Sequence, residues 1–188
     1  MITTEQLKKI MPYSTKENRA LFITPLNEAM DKYEINSPKR QAAFLAQVAH
    51  ESGSLKYVEE ISSGHPYEFR KDLGNLEKEA IDTAHANHST TGRFYKGRGL
   101  FQVTGFYNYK ECGAALKLPL LVHPELLKEP EYAALSAGWF WWSRRLNALA
   151  DNDSFSTITR RINGGDNGAE DRNRFYAAAK IVLNEAIV

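Results

Sequence analysis

The sequence predicts a mainly α-helical fold, on three observations. Apolar residues recur at three- and four-residue spacing along most of the chain, as they do in helices with one buried face. Glycines gather between those stretches, at Gly64 and Gly74, at Gly92, Gly97 and Gly99, and at Gly164 and Gly165, where loops belong. Only Leu55–Ile61 is short, partly β-branched and bounded by glycines in the manner of a strand.

In order, residues 3–11 carry Leu7, Ile10 and Met11 on one helical face. Residues 16–34 place Leu21, Phe22, Leu26, Met30 and Tyr33 near helical spacing, and Pro25, lacking an amide hydrogen, should kink or split them. Residues 38–52 are apolar on almost every side, so this helix belongs at the centre of the domain. Ser37 is its expected N-cap, Pro38 suits its first turn, and Gly53 supplies the stop. Leu55–Ile61 reads as a strand or extended turn, 62–75 as a loop, 76–87 as a helix on Leu76, Ala80, Ile81 and Ala84, and 88–99 as irregular. Thr104 can cap a helix running to about residue 117. His123-Pro124 and Glu129-Pro130 punctuate short helical pieces, and 130–147 is a strongly apolar helix. Trp139, Trp141 and Trp142 cannot share one face of it, so at least one belongs to the core. Residues 154–162 form a helix closed by Asn163-Gly164-Gly165, and a terminal amphipathic helix spans about 169–186. No repeat, low-complexity tract or linker interrupts the 188 residues, which read as one domain with its central helix at 38–52 and a variable loop region at 62–92.

A net charge of +1, with 25% charged residues, sets up no field for nucleic acid, and no apolar run is long enough for membrane insertion. Cys112 is the sole cysteine; it excludes an internal disulfide and is read as a small core residue. No charged segment followed by an apolar run opens the chain, so no signal peptide is expected. His85 and His88 stand at helical i, i+3 spacing, but no second histidine follows His50-Glu51 to make a zinc motif, and neither a metal nor a cofactor is expected.

Chemistry is best sought at Glu51, the carboxylate on which the most apolar helix ends. Apolar surroundings and the negative end of a helix dipole both favour the neutral form of a carboxyl group, as a general acid requires. Position alone is met equally by a helix-end Glu turned to solvent. Glu59 and Glu60 lie just downstream, and a turn after the helix can bring such groups across a cleft, the carboxylate pairing used in sugar hydrolysis. Tyr95, Phe101, Tyr107 and Tyr109 stand near Gln102, Thr104 and Asn108. Rings, amides and a hydroxyl together suit a sugar polymer, and equally a core aromatic cluster beside a helix cap. Arg160, Arg161 and Arg172 are available to pair with acidic residues.

Several separated motifs, taken in order, resemble glycoside hydrolase family 19. They are Ala49-His50-Glu51-Ser52-Gly53, Tyr95-Lys96-Gly97-Arg98-Gly99-Leu100-Phe101-Gln102-Val103-Thr104, Phe106-Tyr107-Asn108-Tyr109, Ser136-Ala137-Gly138-Trp139-Phe140-Trp141 and Arg161-Ile162-Asn163-Gly164-Gly165. The resemblance implies a lysozyme-like, two-lobed helical domain with a small β-hairpin or extended segment beside the cleft. It implies Glu51 as general acid and Glu60 as general base, with Glu59 and Glu68 as alternative bases, and Thr104 helping to hold the attacking water. Gln102, Tyr107, Asn108 and Asn163 match substrate-binding positions, Tyr95 is grouped with them, and Arg172 matches an arginine of the family's acidic network. The reaction implied is inverting hydrolysis of β-1,4 bonds between N-acetylated aminosugars.

Within that family the bacteriophage endolysin branch is expected: a monomer without a separate cell-wall-binding domain, made in the host bacterial cytoplasm, released with a holin and acting on the peptidoglycan glycan strand. A chitinase is the first alternative. A lytic transglycosylase using Glu51 alone, or a non-catalytic glycan-binding module, are the others. Glu51→Gln is expected to abolish turnover and leave the thermal midpoint nearly unchanged.

Overall fold

A computed structural model of the protein describes residues 1–184. Its helices are Thr4–Ile10 (α1), Lys16–Lys32 (α2), Pro38–Glu51 (α3), Lys78–Ala86 (α4), Thr91–Phe94 (α5), Phe106–Leu116 (α6), Pro130–Ser143 (α7), Leu146–Asp151 (α8), Phe155–Asn163 (α9) and Ala169–Asn184 (α10). The fold is mainly α, as the spacing of apolar residues predicts. The last two residues of the expected terminal helix, 185 and 186, lie outside the described residues.

α3 forms where its sequence places it. The Ser37 hydroxyl accepts from the Arg40 amide at 3.3 Å, Pro38 opens the first turn, and eight consecutive residues, Ala42–Ala49, are buried. α10 packs along one side of it, with α1 and α8 also touching it, while α2 pairs with α7. Phe44 anchors the centre, edge-on to both Phe101 and Trp141. Removing such a ring from a close-packed interior costs about 3–5 kcal/mol.

α2 runs unbroken through Pro25. The carbonyl that Pro25 leaves without a donor belongs to Leu21, an exposed residue, where a missing helical bond is least costly, and the helix survives. α7 instead ends at Ser143, earlier than expected, because Arg145 takes a left-handed conformation (φ 55°) and turns the chain into α8. No glycine or proline marks that corner.

Leu55–Ile61 takes the extended-turn form rather than a strand. Gly53, Ser54 and Leu55 all have positive φ and coil the chain after α3. Beyond them the backbone makes only the isolated bridge Glu59–Arg98, which is continued by Arg98–Val103. Thr104 does not cap α6: its hydroxyl donates to the Gln102 carbonyl at 2.9 Å. The cap comes from Asn75, whose Oδ1 accepts from the Phe106 amide at 3.0 Å while its Nδ2 donates to the Tyr67 carbonyl at 2.7 Å. The loop at 62–75 is thereby tied to the start of α6.

The short helix α5 breaks the expected irregular stretch 88–99. Glu68 holds it, accepting from the amides of Thr91 and Gly92 at 3.2 and 3.0 Å. A Cβ on Gly92 would lie 2.5 Å from the Gly64 carbonyl, so the two turns touch backbone to backbone.

Candidate active site

Glu51 closes α3 at the end of its buried run. Gln47, one turn earlier, lies on the same helical face. Arg172, in the first turn of α10, reaches both: Nη1 donates to Gln47 Oε1 and Nη2 to Glu51 Oε1, the latter at 2.5 Å. The Arg172 side chain is 1% exposed and that of Glu51 21%. An enclosed guanidinium needs a partner charge, and Glu51 provides it. Gln47 Nε2 in turn donates to Thr159 Oγ1 at 2.9 Å. Among the described residues, Glu51 Oε2 makes no hydrogen bond.

The neighbouring turn is tied to the same group. The Asn167 carbonyl accepts from Arg172 Nε at 3.4 Å and from Asn163 Nδ2 at 3.3 Å. His50 Nδ1 lies 2.7 Å from Asp171 Oδ2, and its ring packs on Gly168, where a Cβ would come within 2.3 Å. Arg160 and Arg161 stand apart, on Asp166 and the Arg144 carbonyl.

The three downstream acids have separate environments. Burial alone would raise the Glu59 carboxyl, but hydrogen bonds from Arg98 (2.7 Å) and Lys96 (3.2 Å) hold it below the ordinary range. Glu68 is likewise lowered against its burial, by the donors of Thr90, Thr91 and Gly92 that tie it to α5. Both are committed to the frame. Glu60 differs: Oε2 accepts from the Tyr67 hydroxyl at 2.9 Å, while Oε1 is enclosed and has no hydrogen-bond partner among the described residues.

The Glu60 amide donates to the Gly97 carbonyl at 3.0 Å, and Gly97 faces Gln102 and Thr104. A Cβ there would lie 2.6 Å from Gln102 Oε1 and 3.1 Å from Thr104 Oγ1. Gln102 is itself left-handed (φ 53°), a strained state for a non-glycine residue and one that clusters at functional sites. Gln102, Thr104 and Asn108 line a cavity of about 100 Å³ with Leu73, Val103, Trp139, Phe140 and Arg144. Amides, a hydroxyl and ring walls in that volume suit a polar substituent of a sugar rather than a whole ring. Asn108 Nδ2 donates to the Thr104 carbonyl at 2.7 Å, which fixes its side chain at the cavity wall.

Two of the tyrosines named from sequence fall elsewhere. Tyr95 is a core residue, a correction to its grouping with the substrate-binding positions. It is fully buried against Phe94, Phe106 and Tyr109, its hydroxyl donates to the Leu121 carbonyl at 2.8 Å, and burial pushes that hydroxyl up to about 12. Tyr107 is partly exposed on α6 and donates to Glu77 Oε1 at 2.5 Å, which ties it to the segment before α4. Cys112 is buried, as read from sequence, and burial pushes its thiol up to about 12.

Gln47, Tyr67, Lys96, Arg98 and Thr159 complete these networks and were not singled out from the sequence. Two signals were available: Lys96 and Arg98 stand inside the motif at 95–104, and Gln47 is the one polar residue inside the apolar run, a single turn before Glu51. Among the described residues no three His, Cys, Asp or Glu side chains gather as metal ligands, and no helix is long and apolar enough to cross a membrane.

A family model described as chitinase class I, glycoside hydrolase 19, matches residues 26–184. An endochitinase of Arabidopsis thaliana is 38% identical over 142 residues, covering 74% of this chain and 44% of its own length. This chain thus spans less than half of that plant relative. A glycosyl hydrolase family 19 domain-containing protein of Haemophilus influenzae is 28% identical and covers 98% of each chain. Among solved structures, chitinase C of Streptomyces griseus superposes with a TM-score of 0.75 at 24% identity, covering 97% of this chain and 76% of that one, a likeness of fold.

Proposed function

Because the chain belongs to the chitinase class I family, glycoside hydrolase family 19, we propose that it hydrolyses β-1,4 bonds between N-acetylated aminosugars by an inverting two-carboxylate mechanism. Glu51 acts as the acid: Oε1 stays on Arg172, while Oε2, which Arg172 leaves unengaged, takes up a proton from solvent before the bond is cut and passes it to the leaving oxygen. Glu60 acts as the base. The observation that carries this choice of base is the contrast among the acids: Glu59 and Glu68 are saturated with donors, whereas Glu60 has one oxygen without a partner. Tyr67 holds the other oxygen and so orients the carboxyl group. Thr104 steadies the attacking water, and Gln102, Asn108 and Asn163 bind the glycan. Inversion requires room for a water between acid, base and sugar.

Chitin-type polymers come first as substrate, on the relatives that carry the name endochitinase. Peptidoglycan, the substrate expected from the sequence, is the second reading, since its strands contain the same class of linkage. Host lysis, release with a holin and action in the cell wall belong only to that second reading. Release of reducing sugar from colloidal chitin, set against turbidity loss of outer-membrane-permeabilised Gram-negative cells, separates the two. Mass spectrometry of the products tests the mechanism: an anhydro sugar end, with full activity in Glu60→Gln, would mean a lytic transglycosylase acting through Glu51 alone.

A further inference from the structure

A second cavity lies apart from the one lined by Thr104. It has a volume of about 580 Å³ and lies at the corner between α7 and α8, lined by Glu34, Arg40, Trp142, Ser143, Arg145, Asn147, Ala148 and Asp151. Phe140 and Arg144 face the small cavity, whereas Trp142, two residues from Phe140 and so about 200° round the helix, faces the other way. Arg40 lies near the start of α3, about 16 Å along the helix axis from Glu51 at its end. The two cavities are therefore separate places on the molecule.

This cavity has the makings of a ligand site. Trp142 is 56% exposed, unusual for the largest amphipathic side chain, and meets Tyr33 only obliquely, with ring centroids 6.5 Å apart. Two lining residues, Glu34 and Arg145, are non-glycine residues held at φ 56° and 55°. Neither of their side chains makes a hydrogen bond or salt bridge to a described residue. The floor is rigid: Arg40 grips Asp151 through two bonds of 2.8 and 2.7 Å, and Asn147 joins the Trp141 indole to the Tyr33 carbonyl.

The lining also selects the occupant. An apolar helix seated here would bury the Arg145 guanidinium without a partner and leave the Glu34 carboxylate only the Arg40 that Asp151 already holds, which is costly. A polyanion would meet the Glu34 carboxylate. A neutral ring with hydroxyl and amide groups satisfies all three walls, stacking on the indole, donating to the carboxylate and accepting from the guanidinium. We propose that this cavity is a second binding site for a run of N-acetylated aminosugars, with Trp142 as its platform, holding the polymer at a place remote from the bond being cut. The choice of sugar rests on the function proposed above, and the test separates the two.

Isothermal titration of the Glu51→Gln variant with the tetrasaccharide of N-acetylglucosamine is expected to show two sites, and Glu51→Gln/Trp142→Ala one. In the otherwise natural chain, Trp142→Ala should slow hydrolysis of insoluble polymer roughly three- to tenfold and leave a short soluble oligosaccharide within about twofold. Trp142→Phe should recover most of the polymer rate. The same stoichiometry in both titrated variants would overturn the site, as would equal loss on both substrates, or a change of oligomeric state in Trp142→Ala, which would mean that a second copy covers this face. Should no substrate be turned over at all, the hydrolase reading fails, while the titration still decides this one.

Discussion

Arg172 Nη2 donates to Glu51 Oε1 at 2.5 Å, across 121 residues of chain, from a guanidinium that is 1% exposed. The contact joins the end of α3 to the start of α10, the helix that packs along it. It makes the candidate acid a structural partner as well.

Glu51→Gln should therefore abolish turnover and also lower stability, contrary to the sequence-based expectation of an unchanged thermal midpoint. The amide keeps an acceptor for Arg172 but removes the charge opposite an enclosed cation, at a cost of about 1–3 kcal/mol. Arg172→Ala should cost about 3 kcal/mol, and Arg172→Lys should recover little, because an ammonium cannot bridge Gln47 and Glu51 as the planar fork does. Urea unfolding of the three variants measures this. Near-normal activity in Glu51→Gln would remove it as the acid.

Tyr67 is expected to act through Glu60. Tyr67→Phe removes the donor to Oε2 and should lower kcat about tenfold with KM within about twofold, at the level of one hydrogen bond to a charged group. Steady-state kinetics on a soluble oligosaccharide give the split. A change confined to KM would show that Tyr67 touches the substrate rather than the base.

The placements of Tyr95 and Gln102 make opposite predictions for activity. Tyr95→Phe loses one buried hydrogen bond, that to Leu121, and should cost about 1 kcal/mol of stability with activity retained. Gln102→Ala loses the Nε2 bond to the Gly99 carbonyl, should likewise cost about 1 kcal/mol, and should in addition raise KM. Thermal melts and kinetics on the same preparations distinguish core from cleft.

Glu59 supplies a pH-dependent increment of stability. Its carboxyl is lower in the folded than in the unfolded chain, so the Arg98 and Lys96 pairing contributes fully above the ordinary carboxylate range and is lost as pH falls through the lowered folded value. The thermal midpoint of the natural chain should exceed that of Glu59→Gln at pH 7, and the gap should begin to narrow as pH falls through the ordinary carboxylate range and close only below the lowered folded value. A gap constant with pH would mean that the pair contributes through packing alone.

Gly92→Ala tests whether the turns at 62–92 are ordered without substrate. A methyl group would meet the Gly64 carbonyl at 2.5 Å and the Glu68 amide at 2.7 Å, both backbone, so the contact cannot relax cheaply. Limited proteolysis should then cut within 62–92 in the variant and spare the natural chain.

Local chemistry made much of this protein legible from its residues. The apolar run from Ala42 to Ala49, a serine cap before it and a glycine after it determine α3, because each signal acts within a few residues of where it is read. Glu51 was found for the same reason, as a carboxylate attached to the end of that run. Other features depend on groups far away along the chain. Pro25 leaves α2 whole because the residue whose carbonyl it orphans, Leu21, lies at the surface, and α7 stops where Arg145 turns left-handed without any breaker in the sequence. Asn75, distant in sequence, caps α6 in place of Thr104. Tyr95 and Tyr107 are alike as residue types, yet one is sealed in the core and the other stands at the surface. The base was undecided among Glu59, Glu60 and Glu68 because a carboxylate's availability depends on which donors reach it. Those donors, Arg98, Lys96, Tyr67 and the amides of α5, arrive from segments that only tertiary packing brings together.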